Sequence, residues 1–189
     1  MSQQAPAGTA DQPVPTSIEW VTRLSGSDLD DLCHATEDAI VDGNGFGWLK
    51  APPGDVLESY WRGALLIPER EVIVARYDGN IVGSGQMVRP PANNEAQSFA
   101  ATISTFFVAP WARGHGLARG LLTEIERRAV ELGFKVLELN VRATQSAAIA
   151  LYESFGFVRW ATKERYAKVN GSFVAGHYYT KDLVPPPGP

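Results

Sequence analysis

Phe107-Val108-Ala109-Pro110-Trp111-Ala112-Arg113-Gly114-His115-Gly116-Leu117-Ala118 is the stretch from which the rest of the chain can be read. Phe99 to Val108 has the pattern of a strand, and Pro110 stops it. A helix of about Gly116 to Leu132 follows, with Leu117, Leu121, Leu122, Ile125 and Ala129 on one face and Gly133 at its end. A strand, a short turn and glycines at a helix head aim free backbone amides at an anion. The first helical N–H groups lack internal partners, and the helix dipole adds partial positive charge there. Glycine also lets the backbone come close to a phosphate. Two rival phosphate motifs fail, because Gly114-His115-Gly116-Leu117-Ala118-Arg119 lacks the Lys of a nucleotide-hydrolysing loop and comes after four strands, not in a first βαβ unit. Arg113 and Arg119 add charge beside the turn, whereas Arg127 and Arg128 read as a solvated helix face.

Downstream, Leu137, Leu139 and Val141 alternate with Glu138, Asn140 and Arg142, as in a strand with one buried face. A helix from Gln145 to Phe155 stops at Gly156, and two strands, Phe157 to Val169 and Ser172 to Leu183, meet at the hairpin signal Asn170-Gly171. Upstream, Val72 to Tyr77 and Ile81 to Val88 flank Asp78-Gly79-Asn80, a second hairpin signal. Before them come a strand at Ile18 to Leu24 and a helix capped at Ser27 and running to Val41, with Leu29, Leu32, Cys33, Thr36, Ala39 and Ile40 on one side. Gly43-Asn44-Gly45 ends that helix, and Pro52-Pro53-Gly54-Asp55 turns into another at Val56 to Leu66. The order β-α-α-β-β-β-α-β-α-β-β defines an α/β fold with a mixed, mostly antiparallel central sheet flanked by helices.

Composition bounds the function. A chain of 189 residues with 44% hydrophobic residues fits one globular domain, here 18–183 between a polar tail (1–17) and a proline-rich tail (184–189). The net charge of −4 argues against nucleic acid as a partner. No stretch has the length and character of a membrane span or signal peptide, and the single Cys33 forms no internal disulfide or metal-ligand spacing, so a cytoplasmic, metal-free protein is expected.

The run Phe107 to Ala118, then Leu139-Asn140-Val141-Arg142 and Ala148-Ile149-Ala150-Leu151-Tyr152-Glu153-Ser154-Phe155-Gly156-Phe157, resembles the GNAT superfamily of acyl-CoA N-acyltransferases. Arg113 to Ala118 fits the family's Arg/Gln-x-x-Gly-x-Gly/Ala signature, and Leu151 to Phe157 fits Leu-Tyr-x-x-x-Gly-Phe. The specific match spans about Phe99 to Trp160.

The resemblance implies acetyl transfer from acetyl-CoA to an amine. It implies that the CoA pyrophosphate rests on the amides of Arg113, Gly114, His115, Gly116, Leu117 and Ala118, beside Arg119. The pantetheine arm would run along the backbone of Phe106, Phe107 and Val108, where this strand splays from Leu137 to Val141. Gln145 stands where the family carries an Asn and can bond the same arm. Tyr152 takes the place of the general acid, a phenol near pKa 10 donating to a thiol near 8.5. A strand N–H, that of Val108 or a neighbour, would stabilise the oxyanion.

The general base is open among Glu138, Glu37, His34, His177 and water. Ribosomal-protein acetyltransferases carry Glu at the position of Asn140, which cannot act as a base, so that assignment is disfavoured. Glu37, Asp38, Asp42, Phe46, Trp48, Tyr60, Trp61, Tyr178 and Tyr179 are the acceptor-side candidates, in which acids beside aromatics would hold a cationic amine. A small-molecule amine is the leading acceptor. A protein N-terminus or lysine, and a non-catalytic acetyl-CoA-binding module, are the alternatives, and a homodimer is left open.

Overall fold

The computed structural model describes residues 14–43 and 47–183. Its elements are β1 (Thr16–Val21), α1 (Gly26–Val41), α2 (Gly54–Leu66), β2 (Arg70–Tyr77), β3 (Asn80–Val88), β4 (Ala100–Val108), α3 (Leu117–Glu131), β5 (Val136–Arg142), α4 (Ser146–Ser154), β6 (Val158–Val169) and β7 (Ser172–Asp182). The seven strands form one sheet in the order β1-β2-β3-β4-β5-β7-β6. Every neighbouring pair is antiparallel except β4 and β5.

Local sequence explains the corners. Asp78 and Gly79 have φ of 52° and 82°, and Asn170 and Gly171 have 48° and 83°, the paired left-handed residues that a type I′ hairpin requires. Helices α3 and α4 end in the same way. Gly133 donates to the carbonyl of Val130 and Phe134 to that of Ala129, while Gly156 donates to Glu153 and Phe157 to Tyr152. These are the two bonds of a Schellman motif, with glycine at the left-handed position.

Strand alternation divides the core in two. Ile73, Val82, Met87, Ala101, Ile103 and Leu139 pack with α3 and α4 on one face of the sheet. Val72, Val74, Ile81 and Phe107 pack with Leu29, Leu32, Leu57 and Trp61 of α1 and α2 on the other. Trp61 is fully buried, and its indole N–H donates to Thr36 Oγ1 over 3.0 Å while Thr36 donates to the carbonyl of Leu32.

Some boundaries move. β1 takes in Thr16 and Ser17, read above as tail, and ends at Val21 rather than Leu24. Helix α1 starts at Gly26, so Ser25 and not Ser27 holds the cap position. The first turn is closed by the bond from Leu29 N–H to the Ser25 carbonyl, and Asp28 sits in that turn, bonded at 2.7 Å to Arg76. An acid there complements the positive helix end. α2 starts at Gly54, two residues before the expected Val56. The expected helix stop Asn44-Gly45, the candidate Phe46, the tail 184–189 and most of the N-terminal tail lie outside the described residues. No described helix is long and apolar enough to cross a membrane.

Trp61→Ala removes the largest fully buried side chain of the α1/α2 layer. It is expected to cost about 3–5 kcal/mol, read as a lowered midpoint in denaturant unfolding.

Candidate active site

Parallel pairing of β4 with β5 lasts only from Ala100↔Val136 to Thr102↔Glu138. Beyond it β4 stays bonded to β3 but leaves β5. The turning point is a bulge: the β3–β4 register shifts between Ser84 and Gln86, and Thr105 has φ of 48°, unusual for a β-branched residue. The gap opens into a cleft of about 940 Å³. It is lined on one side by Thr102 to Val108 and on the other by Leu139 to Arg142 and α4. Backbone groups of β4 that would have paired with β5 therefore face a ligand-sized space.

The turn after β4 lies at one end of this cleft. Gly114 and Gly116 have φ of 85° and 76°, and Gly116 is the residue just before α3. A Cβ built on either meets no heavy atom within 4 Å, so the space before these amides is open. Arg113 and Ala118 line the cleft. The other side chains of the turn look elsewhere. Leu117 is in the core, and His115 packs tilted against Tyr77, ring centroids 4.5 Å apart, with Nδ1 3.2 Å from the Ala112 carbonyl oxygen. Arg119 lies 4.9 Å over the Phe155 ring and donates to Ser154 Oγ. Backbone amides, with Arg113 beside them, are what the turn offers an anion.

Tyr152 is held by the Schellman motif that ends α4 and packs against Phe106, Phe157 and Tyr179. It lines the cleft. Burial pushes the phenol well above its ordinary value of 10, so it stays protonated through the whole neutral and mildly alkaline range.

The opposite face of the cleft is polar. Gln86, fully buried, accepts from Arg70 and donates to Tyr60 Oη over 3.2 Å. Tyr60 Oη and Thr105 Oγ1 share a further hydrogen bond, 3.0 Å apart. Trp48 packs edge-on against Tyr60 at 5.2 Å. Tyr166 of β6 reaches across to donate to Asn140 Oδ1.

Of the residues singled out from the sequence, Phe106, Phe107, Val108, Arg113, Ala118, Gln145, Tyr152, Trp48 and Tyr60 line the cleft together. Gln145 does so with its amide donating to the Gly43 carbonyl at 2.5 Å. The acids expected beside the aromatics do not line it. Asp38 accepts from Trp111 Nε1, Asp42 pairs with Arg113 at 2.8 Å, and Glu37 is exposed. Trp61 and Tyr179 are core residues, and Tyr179 donates to Glu153. Tyr178 packs between Trp160 and Tyr166. Among the proposed bases, His34 is exposed, His177 sits between Thr162 and Arg159, and Glu138 lines a separate, smaller depression. Arg127 and Arg128 are ion-paired to Glu124, Glu131 and Glu71. No group of three or more His, Cys, Asp or Glu among the described residues is placed to hold a metal ion. Sequence reading missed Tyr166 and Lys168 as cleft residues, because a bulge between Lys163 and Ala167 breaks the period-two pattern that would reveal their face.

Residues 34–157 match the model of the acetyltransferase (GNAT) family. A protein of Azospirillum brasilense named as an uncharacterized N-acetyltransferase in the hisH–hisA intergenic region is 52% identical over 129 residues, covering 68% of this chain and 77% of that protein. The N-alpha-acetyltransferase RimI of Mycobacterium tuberculosis is 34% identical over 115 residues, 57% of this chain and 65% of its own. The structure of yncA from Salmonella typhimurium, solved with its cofactor acetyl-CoA, superposes with a TM-score of 0.73 at 18% identity, covering 92% of this chain and 97% of that one. The chain belongs to the GNAT family of N-acetyltransferases, enzymes that transfer acetyl groups from acetyl-CoA.

Gly116→Ala tests the turn. The added methyl meets no protein atom and costs about 1–2 kcal/mol of backbone strain, yet it stands before the amides. CoA affinity measured by calorimetry is expected to fall at least about tenfold in a folded protein. An unchanged affinity would remove the pyrophosphate from this turn.

Proposed function

We propose that the chain acetylates the primary amine of a small molecule by direct attack on the thioester of acetyl-CoA. The observation that carries this reading is the Tyr152 phenol, kept protonated by its burial, opening on the same cleft as the edge of β4 that has left β5. The amides of 113–118 and the side chain of Arg113 bind the pyrophosphate, and the backbone of Phe106 to Val108 bonds the pantetheine arm. The N–H of Val108 or a near neighbour receives the charge that develops on the carbonyl oxygen, in a site where a fixed donor needs no reorganisation. A neutral amine forms the new C–N bond, the C–S bond breaks, and Tyr152 donates its hydrogen bond to the departing sulfur. The proton lost by the amine leaves through water, so the balance is ammonium plus thioester giving amide, thiol and a proton.

A protein N-terminus is the second reading, favoured by the likeness to the Mycobacterium tuberculosis RimI. Asn140 in place of an acid, and aromatic walls at Trp48, Tyr60 and Tyr166, favour the smaller acceptor. Acetyl-CoA-dependent thiol release, screened over amines and peptides, separates the two. Binding of acetyl-CoA without turnover of any acceptor would instead make the chain a binding module.

Tyr152→Phe is expected to lower kcat at least about tenfold while CoA affinity changes less than threefold. Equal kcat in variant and parent would remove the acid role. Because burial raises the Tyr152 pKa, its protonated form persists beyond pH 10, whereas rising pH frees more acceptor amine. The kcat/KM profile is thus expected to climb with pH and to show no descending limb below about pH 10. A fall centred between roughly pH 8 and 9 would contradict this.

A further inference from the structure

Among the described residues that line it, the acceptor side of the cleft carries cations and no carboxylate. Strand alternation puts Leu139 and Val141 of β5 in the α3/α4 core, so Asn140 and Arg142 belong to the other face, with α1 and α2. Arg142 is only 9% exposed and lines the cleft. Tyr166 approaches the same face over Gly176, where a Cβ would stand 2.1 Å from the Tyr166 ring. Its hydroxyl occupies Asn140 Oδ1, which turns the Asn140 N–H groups toward other partners. Lys168 of β6 also lines the cleft, with its ammonium 6.0 Å from the Phe173 ring centroid at the cleft's exposed edge. Ser104 lines the facing wall, and its Oγ is buried with no hydrogen-bond partner.

A guanidinium, an ammonium, an amide N–H pair and an orphan hydroxyl are donors suited to an anion. Among the described residues lining the cleft there is no Asp or Glu. A polyamine or a lysine side chain would bring a second positive charge to a site whose described lining has no carboxylate to neutralise it.

We infer that the acceptor carries its own carboxylate beside the amine, an amino acid with a free α-carboxylate, which Arg142 and Lys168 hold. This rests on the acetyl-transfer reading above.

The test compares leucine, methionine and phenylalanine with their decarboxylated amines and their amides as acceptors. The free amino acids are expected to have at least about tenfold higher kcat/KM, and Arg142→Gln and Lys168→Gln each to erode that preference severalfold. Lys168 is exposed, so its variant folds as the parent does. Equal or better turnover of the decarboxylated amines, or of amidated peptides, overturns the inference, as does a preference unchanged in both variants. Calorimetry with CoA-loaded protein supplies a readout independent of turnover. N-acetylphenylalanine should bind at least about tenfold more tightly than its amide. That result without acetylation of any amine would keep the anion site and remove the acetyl-transfer reading. Acetylation without carboxylate preference would do the reverse.

Discussion

Everything in the proposed chemistry depends on one interruption of hydrogen bonding, the loss of pairing between β4 and β5 after Thr102↔Glu138. An unpaired strand edge inside a sheet is costly unless a ligand or water takes the place of the missing neighbour. The bulge at Thr105 fixes where the loss begins, and the polar chain from Arg70 through Gln86 and Tyr60 to Thr105 holds the bulge in place. The opening is therefore built into the fold. It runs from the amides before α3 at one end to the polar face under α1 and α2 at the other.

The sheet separates two tasks by the alternation of its side chains. On the α3/α4 face, apolar packing by Phe106, Leu139, Val141 and α4 surrounds Tyr152 and keeps its phenol protonated. On the α1/α2 face, Asn140 and Arg142 belong to a polar wall completed by Tyr60, Tyr166 and Lys168. In the proposed reaction the donor half and the acceptor half meet at one break in the sheet, reached from opposite faces. Tyr152 joins local structure to the site, because its carbonyl takes the closing bond of the helix terminus at Gly156-Phe157 while its ring packs on Phe157. The Leu-Tyr-x-x-x-Gly-Phe spacing is what a Schellman terminus demands, and it also fixes the phenol beside β4.

Elements with a local cause could be read from the sequence. Asp78-Gly79 and Asn170-Gly171 make the hairpins their chemistry dictates, Gly133 and Gly156 end helices, and the element order follows. The cleft lining around Phe106 to Val108, Arg113 and Tyr152 was legible for the same reason, since it follows one strand, one turn and one helix terminus. The acceptor face was not. Asp38 and Asp42 stand near aromatics in the sequence, but Trp111 and Arg113 hold them on the surface. Tyr166 and Lys168 reach it through an irregularity in β6 and a tertiary approach over Gly176, neither of which leaves a local pattern.

Backbone amide hydrogen exchange, with and without acetyl-CoA, tests the central claim most directly. The account predicts new protection confined to the amides of Phe106, Val108 and 113–118, where β4 has left β5 and the turn faces open space. Protection that leaves both segments unchanged, or that falls instead on the outer strands β1 and β6, would contradict it.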